Sequence, residues 1–165
     1  MRVAVALPLV LACGAGEPLE GDWEVFAYEV SEPCDGDALP ATPAPTDVSF
    51  RLVRETFFDA PLLAYYECSA PGICAEIPSL VRSGAPDGEG GYRGALASAS
   101  GDPCAWSYRV RRFERDEDTL VITRDEHGEP VPEGGVCDAR EAERRGESMP
   151  CVRRERWYAS RPLLP

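Results

Sequence analysis

The residues best suited to chemistry in this sequence are its seven cysteines. One of them, Cys13, stands near the start, and six more are spread along the chain: Cys34, Cys68, Cys74, Cys104, Cys137 and Cys151. An even set of cysteines in an exported chain forms disulfides. Zinc sites instead use closely spaced cysteine pairs, often with histidine, and His127 is the single histidine of the chain. We therefore expect three structural disulfides and no metal site.

The spacing of the six cysteines favours particular pairs, although the sequence alone leaves the other pairings open. One favoured pair encloses a short turn that contains Pro71 and Gly72, and a second encloses a short polar segment. The favoured pairs are Cys68 with Cys74, Cys137 with Cys151 and, by exclusion, Cys34 with Cys104. Each bridge is expected to stabilise the fold by about 2–4 kcal/mol.

A catalytic role would require a base beside a nucleophile, a metal cage or paired carboxylates in a cleft. His127 is flanked by Asp125, Glu126 and Glu129, whose carboxylates could orient it as a base. The polar residues around it predict an exposed loop, however, and the sequence contains no G-x-S-x-G or comparable nucleophile motif. We therefore assign no catalytic residue and no cofactor, and we expect no enzymatic role.

Charge and composition limit the classes of partner. The chain has 165 residues, of which 17 are basic and 29 acidic, for a net charge of −12. Such a chain is repelled by nucleic-acid phosphates and by anionic lipid surfaces, so we expect no nucleic-acid partner. A hydrophobic fraction of 44% predicts a folded domain, and the abundant proline and glycine predict many turns, as in all-β proteins.

The N-terminus carries a basic start and a short apolar run. The run ends with Val10, Leu11, Ala12 and Cys13, which resembles the lipobox of bacterial lipoproteins. The resemblance implies that residues 1–12 are a signal peptide removed on export, that Cys13 is lipidated, and that residues 13–20 tether the domain to a membrane. The run is far shorter than the ~20 residues of a membrane-spanning helix. The alternative is an ordinary apolar N-terminus with an unrelated cysteine.

The residue after the cysteine bears on the destination of such a lipoprotein. Gly14 stands where an aspartate would resemble a signal for retention at the inner membrane. The resemblance therefore implies a lipid anchor in the outer membrane, with the domain facing the periplasm or the cell surface. The membrane itself is then the first expected partner.

Residues 21–165 are expected to form a single β domain. Apolar and polar residues alternate between turns, most clearly where Trp106, Tyr108 and Val110 lie on one face. The predicted strands are residues 23–30, 48–53, 62–67, 76–82, 92–98, 106–111, 119–124 and 152–159. Residues 125–135 are predicted as a polar loop, and residues 138–147 as a short, charged surface helix. About eight strands predict a small antiparallel β-barrel, with a β-sandwich as the alternative.

Gly21 and Trp23 open the first predicted strand. This G-x-W pattern resembles the opening of lipocalin-like β-barrels, a family that includes bacterial lipoproteins. The resemblance implies that Trp23 closes the floor of the barrel and that Arg154 or Arg156, from the last strand, packs over its ring. It also implies that the proline-rich residues 31–46 form a lid loop.

Aromatic side chains on the predicted inner face are candidate ligand contacts. They are Trp23, Phe50, Trp106 and Tyr108. These residues could line a cavity for a small apolar ligand, as the resemblance implies, or they could fill a packed core. In the second case we expect a structural lipoprotein that binds an envelope protein through its surface. Phe57 and Phe58, at a predicted loop, are the candidate apolar patch for that partner.

Overall fold

Antiparallel strands make up most of residues 19–162, the part of the chain that this computed structural model describes. In chain order the strands are β1 (Gly21–Ser31), β2 (Leu39–Pro40), β3 (Ser49–Phe57), β4 (Ala60–Ala70), β5 (Ile73–Cys74), β6 (Ala85–Pro86), β7 (Tyr92–Ser100), β8 (Ala105–Asp116), β9 (Thr119–Pro130) and β10 (Cys151–Ser160). One helix, α1 (Ala139–Arg145), precedes β10. Within this range, no helix is long and apolar enough to cross a membrane. The predicted signal peptide and Cys13 lie outside the described residues.

All ten strands belong to one sheet. Its order is β5-β4-β3-β1-β10-β9-β8-β7-β6, with the short β2 paired to β1, and its ladders are antiparallel. The prediction of an all-β antiparallel fold with one short helix is confirmed. The order has two ends, one at β4 and β5 and the other at β7 and β6, and these ladders alone do not close a barrel.

A short segment, residues 79–86, lies between the two ends of the sheet, and we call it the strap. Leu63 N–H in β4 donates to Gly84 O (2.7 Å), and Gly84 N–H donates to Leu63 O (3.1 Å). The next two strap residues, Ala85 and Pro86, form β6, which pairs with β7. The strap therefore joins β4 to β7 through backbone contacts.

The strap approaches β7 closely because Gly94 has no side chain. A Cβ at Gly94 would lie 2.2 Å from Ser83 O, so any larger residue would push the strap away. Ser83 also accepts the N–H of Tyr65 through its Oγ (3.0 Å). The predicted strand over residues 76–82 is wrong. Pro78 cannot donate to a ladder, and the segment forms a 3₁₀ turn at Leu80–Arg82 instead.

The inner face of the sheet carries the main hydrophobic core. Its buried residues are Leu19, Trp23, Phe50, Leu52, Leu63, Tyr65, Tyr92, Phe113, Leu120, Ile122, Trp157 and Ala159. Trp23 is completely buried, and its Nε1–H donates to Leu19 O (2.8 Å). The guanidinium of Arg161 lies 4.3 Å from the centre of the Trp23 ring, a cation–π contact. The nearer cation over Trp23 thus comes from just beyond β10 and a second, Arg115, from β8 (6.0 Å), so the expectation of Arg154 or Arg156 is corrected.

A second core lies on the outer face of β8, beneath α1. It contains Trp106, Tyr108, Val110, Ala142 and Met149. The helix begins after Asp138, whose carboxylate accepts the N–H of Arg140 (2.9 Å), as expected of an N-cap residue. Ala142 is the fully buried contact of this otherwise charged helix. Since Phe113 is buried on the inner face, β8 is covered on both sides.

Strand β9 continues further than the sequence predicts. Residues 125–135 are expected to form a polar loop, but the ladder with β8 extends to Pro130. The polar side chains fit into this strand because arginines from neighbouring strands pair with them. Asp125 accepts hydrogen bonds from both Arg112 and Arg154. The loop prediction is wrong for residues 125–130, because local composition does not reveal partners from other strands, whereas residues 131–135 lie outside the strands as expected.

Three disulfides use every cysteine of residues 19–162. They are Cys34–Cys151, Cys68–Cys74 and Cys104–Cys137. The expected disulfide-stapled domain is confirmed, and the bridge across the short turn is the one that the spacing favours. The other two pairs differ from the favoured assignment, in which Cys137 joins Cys151 and Cys34 joins Cys104.

The two corrected pairs reflect contacts between segments that are distant in sequence. Cys34 N–H donates to Cys151 O (3.4 Å), because the loop after β1 folds back onto the start of β10. The chain leaving β9 runs beside the start of β8, where Val131 N–H donates to Cys104 O (2.9 Å). Cys137 follows a few residues later and therefore meets Cys104.

The three disulfides should stabilise the fold unequally. In the chain-entropy description, stabilisation grows with the length of the closed loop. The sequence separation is 117 residues for Cys34–Cys151 and 6 residues for Cys68–Cys74. Replacing the first pair by alanines should lower the free energy of unfolding by about 4–5 kcal/mol, and replacing the second by about 2 kcal/mol. Urea unfolding of the two double variants measures the difference, and equal losses would contradict it.

Candidate functional site

A pocket of about 210 Å³ lies where the strap meets β7, β8 and β9. Its walls are Val81, Arg82, Gly94, Ala95, Leu96, Arg109, Arg111 and Arg124. Half of these residues are arginines, in a chain whose net charge is −12. We call this site the arginine pocket. Guanidinium groups bind carboxylates and phosphates through paired hydrogen bonds, so the wall chemistry suits an anionic group.

Strand alternation brings three of the arginines together. Arg109 and Arg111 flank Val110 on β8, and successive side chains on a strand point to opposite faces. Val110 packs beneath α1, so both arginines lie on the inner face. Across the ladders, Arg111 is opposite Arg124 of β9 and Gly94 of β7. The alternation that places apolar side chains on the outer face of β8, beneath α1, therefore also places a row of arginines on its inner face.

Three of the four arginines have carboxylate partners. The pairs are Arg82 with Asp47, Arg124 with Glu155, and Arg109 with Glu126. A further carboxylate, on Glu67, approaches the Nε of Arg82 (3.4 Å). Glu155 is almost fully buried and also accepts a hydrogen bond from Arg153 (3.0 Å). The acids at this site are therefore in contact with guanidinium groups other than that of Arg111.

Arg111 differs from the other three arginines in burial and in contacts. It is 8% exposed, and no ion pair found within residues 19–162 includes it. Its Nη1–H donates to Arg82 O (3.3 Å), whereas its buried Nε–H has no acceptor in the described chain. Its guanidinium lies 5.7 Å from the ring centre of Tyr65 and 5.5 Å from that of Trp157. The rings stabilise the cation, but one strong donor stays unsatisfied.

Burial and neighbouring charges both act on Arg111. Loss of hydration is the main cause that lowers its pKa to about 10, and repulsion from Arg124 and Arg82 adds to this effect, whereas attraction from the Asp47 carboxylate opposes it in part. Tyr65 cannot supply a counter-charge at neutral pH, because burial, followed by repulsion from Asp47, raises the pKa of its phenol. At pH 7 Arg111 is therefore a buried cation that forms no ion pair with the described residues, and the nearby Asp47 carboxylate is paired with Arg82 instead.

The four aromatic residues expected to line a ligand cavity do not form one site. Trp23 and Phe50 belong to the core on the inner face, whereas Trp106 and Tyr108 face outward beneath α1. The inner space beside Phe50 is about 10 Å³, which suits at most a single water molecule. The assignment of Trp106 and Tyr108 to the inner face is corrected, because α1 covers the apolar face of β8.

Two wider depressions are more open to solvent than the arginine pocket. One, of about 600 Å³, lies beside the Cys68–Cys74 disulfide, and the other, of about 570 Å³, lies between Trp106 and α1. Neither has a buried charged side chain in its wall. The arginine pocket is distinguished by Arg111, which is both buried and charged.

His127 is buried within β9, and its predicted position in an exposed loop is wrong. Its Nδ1–H donates to Met149 O (3.0 Å), and its Nε2 is buried without a partner in the described chain. Tyr108 and Cys151 lie opposite it in the two flanking ladders. Within residues 19–162, no serine hydroxyl forms a hydrogen bond with His127. Its contacts are those of a core residue beneath the α1–β10 connection.

Asp125 is the centre of a charge cluster on the outer face. Arg154 donates to both of its carboxylate oxygens (2.6 and 3.0 Å), and Arg112 donates a third hydrogen bond (3.0 Å). Arg112 also pairs with Glu147, just after α1. Burial opposes ionisation of Asp125, yet its pKa is lowered because Arg154 and Arg112 stabilise the carboxylate. The ion pairs of the cluster thus hold the α1–β10 connection against the sheet.

The same carboxylate lies near two sulfur atoms. Atoms of Asp125, Cys34 and Cys151 lie within 4.8 Å of one another, a spacing that could suit a metal ion. The two sulfurs are bonded to each other, however, and a disulfide supplies no thiolate ligand. The group is therefore a disulfide beside a charge cluster.

The arginine pocket is absent from the sequence-based predictions, although a signal was present. Arg109 and Arg111 alternate with a row of apolar residues on β8. Such a pattern normally places the apolar residues inside and the charged residues in solvent. The prediction failed because a helix covers the apolar face, and the charged face turns inward.

Comparison with known proteins gives no further indication of the function of the arginine pocket. No protein-family model, no curated protein and no solved structure matches this chain. The likeness to lipocalin-like barrels remains a resemblance that rests on Gly21 and Trp23.

The Asp125 cluster predicts an acid-sensitive fold. Because the pKa of Asp125 in the folded protein lies below its ordinary value of 3.8, its stabilising effect is present above that pH. The effect is lost as the pH falls through the lower, folded pKa. Asp125→Asn should reduce the free energy of unfolding at neutral pH by about 1–3 kcal/mol. It should also flatten the loss of stability below about pH 4.

Urea unfolding across a pH series measures both effects. Glu133→Gln is the matched control, since Glu133 is exposed and lies between β9 and α1, outside the group of residues that contact Asp125. This control should leave stability and its pH dependence unchanged. An Asp125→Asn variant with the stability and pH profile of the unmodified protein would contradict the assignment.

Proposed function

We propose that this chain is a membrane-anchored cell-envelope lipoprotein without an enzymatic role. In this proposal its β domain is a closed barrel that binds a small ligand beside the strap. The observation that carries the proposal is the arginine pocket, in which Arg111 is a buried cation without an ion-pair partner among residues 19–162. A buried charge without a partner is costly to the fold. A buried group of this kind in a cleft is a candidate for a functional site.

Closure of the sheet into a barrel is supported from both of its ends. Leu63 and Gly84 exchange two backbone hydrogen bonds across the gap between β4 and the strap. Leu63 of β4 and Tyr92 of β7 come from opposite ends of the strand order, yet they belong to the same buried cluster. A single sheet that encloses one core favours the barrel over a sandwich, which needs two sheets.

The lipid anchor is supported by the state of the other cysteines. All six cysteines after Cys13 form disulfides, and structural disulfides persist in oxidising compartments such as the periplasm and the cell surface. Cys13 is then the one thiol left for another use. An extended tether over residues 13–20 reaches at most about 25–30 Å. A lipid on Cys13 would therefore hold the barrel close to the outer membrane.

The position of the ligand follows from the room inside the domain. Aromatic and aliphatic side chains fill the inner core, and the space beside Phe50 is about 10 Å³. An apolar ligand deep in the barrel would have to displace these residues. The arginine pocket offers about 210 Å³ without such rearrangement. We therefore place the ligand there, with apolar contacts from Val81 and Leu96.

An alternative function is supported by a separate observation at the β3–β4 turn. Phe58 is 90% exposed, and its ring contacts that of Phe57 edge-to-face at 4.6 Å. Phe58 and Asp59 have positive φ angles of 46° and 63°, which suit a tight hairpin turn. An exposed aromatic pair at a hairpin tip is a candidate contact for an envelope protein. In this alternative the domain is a structural or interaction lipoprotein with a packed core and no ligand.

The anchor predicts a defined mass for the mature protein. Produced in a Gram-negative bacterium with its own residues 1–12, the chain should begin at Cys13 and carry several acyl chains. It should fractionate with membranes. Intact-mass spectrometry measures the modification, with Cys13→Ser as the control that cannot be acylated. An unmodified chain that still begins at Met1 would contradict the lipoprotein proposal.

The ligand proposal is tested on the same domain without its anchor. Residues 1–12 are replaced by a cleavable secretory signal and Cys13 by serine, and the native mass is recorded without reductant. We expect a mass lowered by two hydrogens per disulfide, plus a small molecule that is lost on denaturation. A native mass equal to that of the protein alone, with no bound molecule, would favour the interaction alternative.

A further inference from the structure

We propose that the arginine pocket binds the carboxylate group of a small organic acid, and that Arg111 is the residue that pairs with it. This inference rests on the proposed function, because it names the class of ligand that the pocket takes. Its basis is a pattern of partners among the four arginines, together with the burial of Arg111 and the nature of the pocket wall.

The partners of the four guanidinium groups point to a missing carboxylate. Arg82, Arg109 and Arg124 each contact the carboxylate of an Asp or Glu side chain. Arg111 lies among them, and its hydrogen-bond acceptor is the backbone oxygen of Arg82. A ligand carboxylate would give the fourth guanidinium the kind of partner that the other three have. Arg–carboxylate pairs are planar and can be bidentate, which gives geometric selectivity.

Burial makes this particular guanidinium a binding group. Arg111 is 8% exposed, so water satisfies little of its hydrogen-bonding capacity, and its Nε–H has no acceptor in the described chain. The exposed arginines of the surface lack this property, since solvent solvates and screens them. An anion that reaches Arg111 would therefore gain a charge-assisted hydrogen bond in a poorly hydrated site, where such bonds are strongest.

The rest of the wall limits the ligand to a small body with some apolar surface. The pocket volume of about 210 Å³ is below the range typical of sites for drug-sized ligands. Val81 is 69% exposed and Leu96 is 44% exposed, and both line the pocket. Covering these side chains would remove apolar area from water. A short aliphatic carboxylate satisfies the charge, the size and the apolar contacts together.

The net charge of the chain predicts how salt affects the rate of carboxylate binding. With a net charge of −12, the protein as a whole repels an approaching anion. Salt screens this long-range repulsion but weakens a buried ion pair much less. The association rate of a carboxylate with Arg111 should therefore rise as moderate salt is added. The affinity of an exposed arginine for the same anion would instead fall, because salt screens an exposed ion pair.

Isothermal titration of the secreted Cys13→Ser domain tests the proposal with hexanoate as the probe. Hexanamide is the uncharged probe of similar shape, and dimethyl phosphate is the phosphate-type anion. We expect hexanoate to bind, and to bind about tenfold or more tightly than hexanamide or dimethyl phosphate. Arg111→Met should weaken hexanoate binding by about tenfold or more. Arg144→Met, a matched change at an exposed arginine of α1, should leave binding unchanged.

Thermal unfolding separates a binding role for Arg111 from a structural one. Methionine matches the length of the arginine stem without its charge, so Arg111→Met should unfold at the same or a higher temperature. Arg111→Lys keeps the charge but lacks the planar fork, and it should fold normally while binding hexanoate more weakly. Hexanoate binding that is unchanged in both variants would overturn the proposal. An Arg111→Met domain that fails to fold, with an Arg111→Lys domain that binds normally, would also overturn it.

The three probes distinguish failure of this inference from failure of the proposed function. If hexanamide binds as tightly as hexanoate and Arg111→Met has no effect, a ligand site remains but its carboxylate selectivity is excluded. Tighter binding of dimethyl phosphate would likewise exclude the carboxylate assignment. If no probe binds at millimolar concentration, this inference fails, and the native mass of the secreted domain still decides the proposed function independently.

Discussion

The contact on which the rest of the structure depends is the pair of backbone hydrogen bonds between Leu63 of β4 and Gly84 of the strap. They join the strap to β4, while β6 within the strap pairs with β7. Without this link, the sheet would end in two open edges, which are prone to pairing with other chains. The link also fixes the carbonyl of Arg82, which accepts a hydrogen bond from Arg111. The same contact that would close the barrel therefore positions the buried cation.

The placement of charge in this protein reverses the usual arrangement of a half-buried sheet. β8 presents Trp106, Tyr108 and Val110 to a second core beneath α1, and it turns Arg109 and Arg111 inward. An internal row of arginines is tolerated because carboxylates and aromatic rings surround it. Arg111 is the member of the row that no carboxylate of the described chain contacts, so the proposed binding role and stability are opposed at this residue. Such opposition is common at functional sites.

Local sequence patterns predicted most of the strands and the helix, but they did not predict the contacts between segments that are distant in sequence. The alternation in β8 and the Asp138 cap depend on neighbouring residues, and both appear as expected. The Cys34–Cys151 bridge and the burial of His127 depend on β10 lying between β1 and β9, which no local pattern reveals. The arginine pocket was missed for the same reason. Which face of β8 turns inward is decided by where α1 packs.

Hydrogen exchange at two backbone amides tests the central link most directly. In a closed barrel, the N–H groups of Leu63 and Gly84 are paired within the structure and should exchange about as slowly as the amides of β8, which has partners on both sides. Glu117, in the exposed turn between β8 and β9, supplies the rate of an unprotected amide. Slow exchange at both positions is the predicted result. Exchange at the rate of Glu117 would mean that the strap is not held to β4, and the pocket beside it would lose its basis.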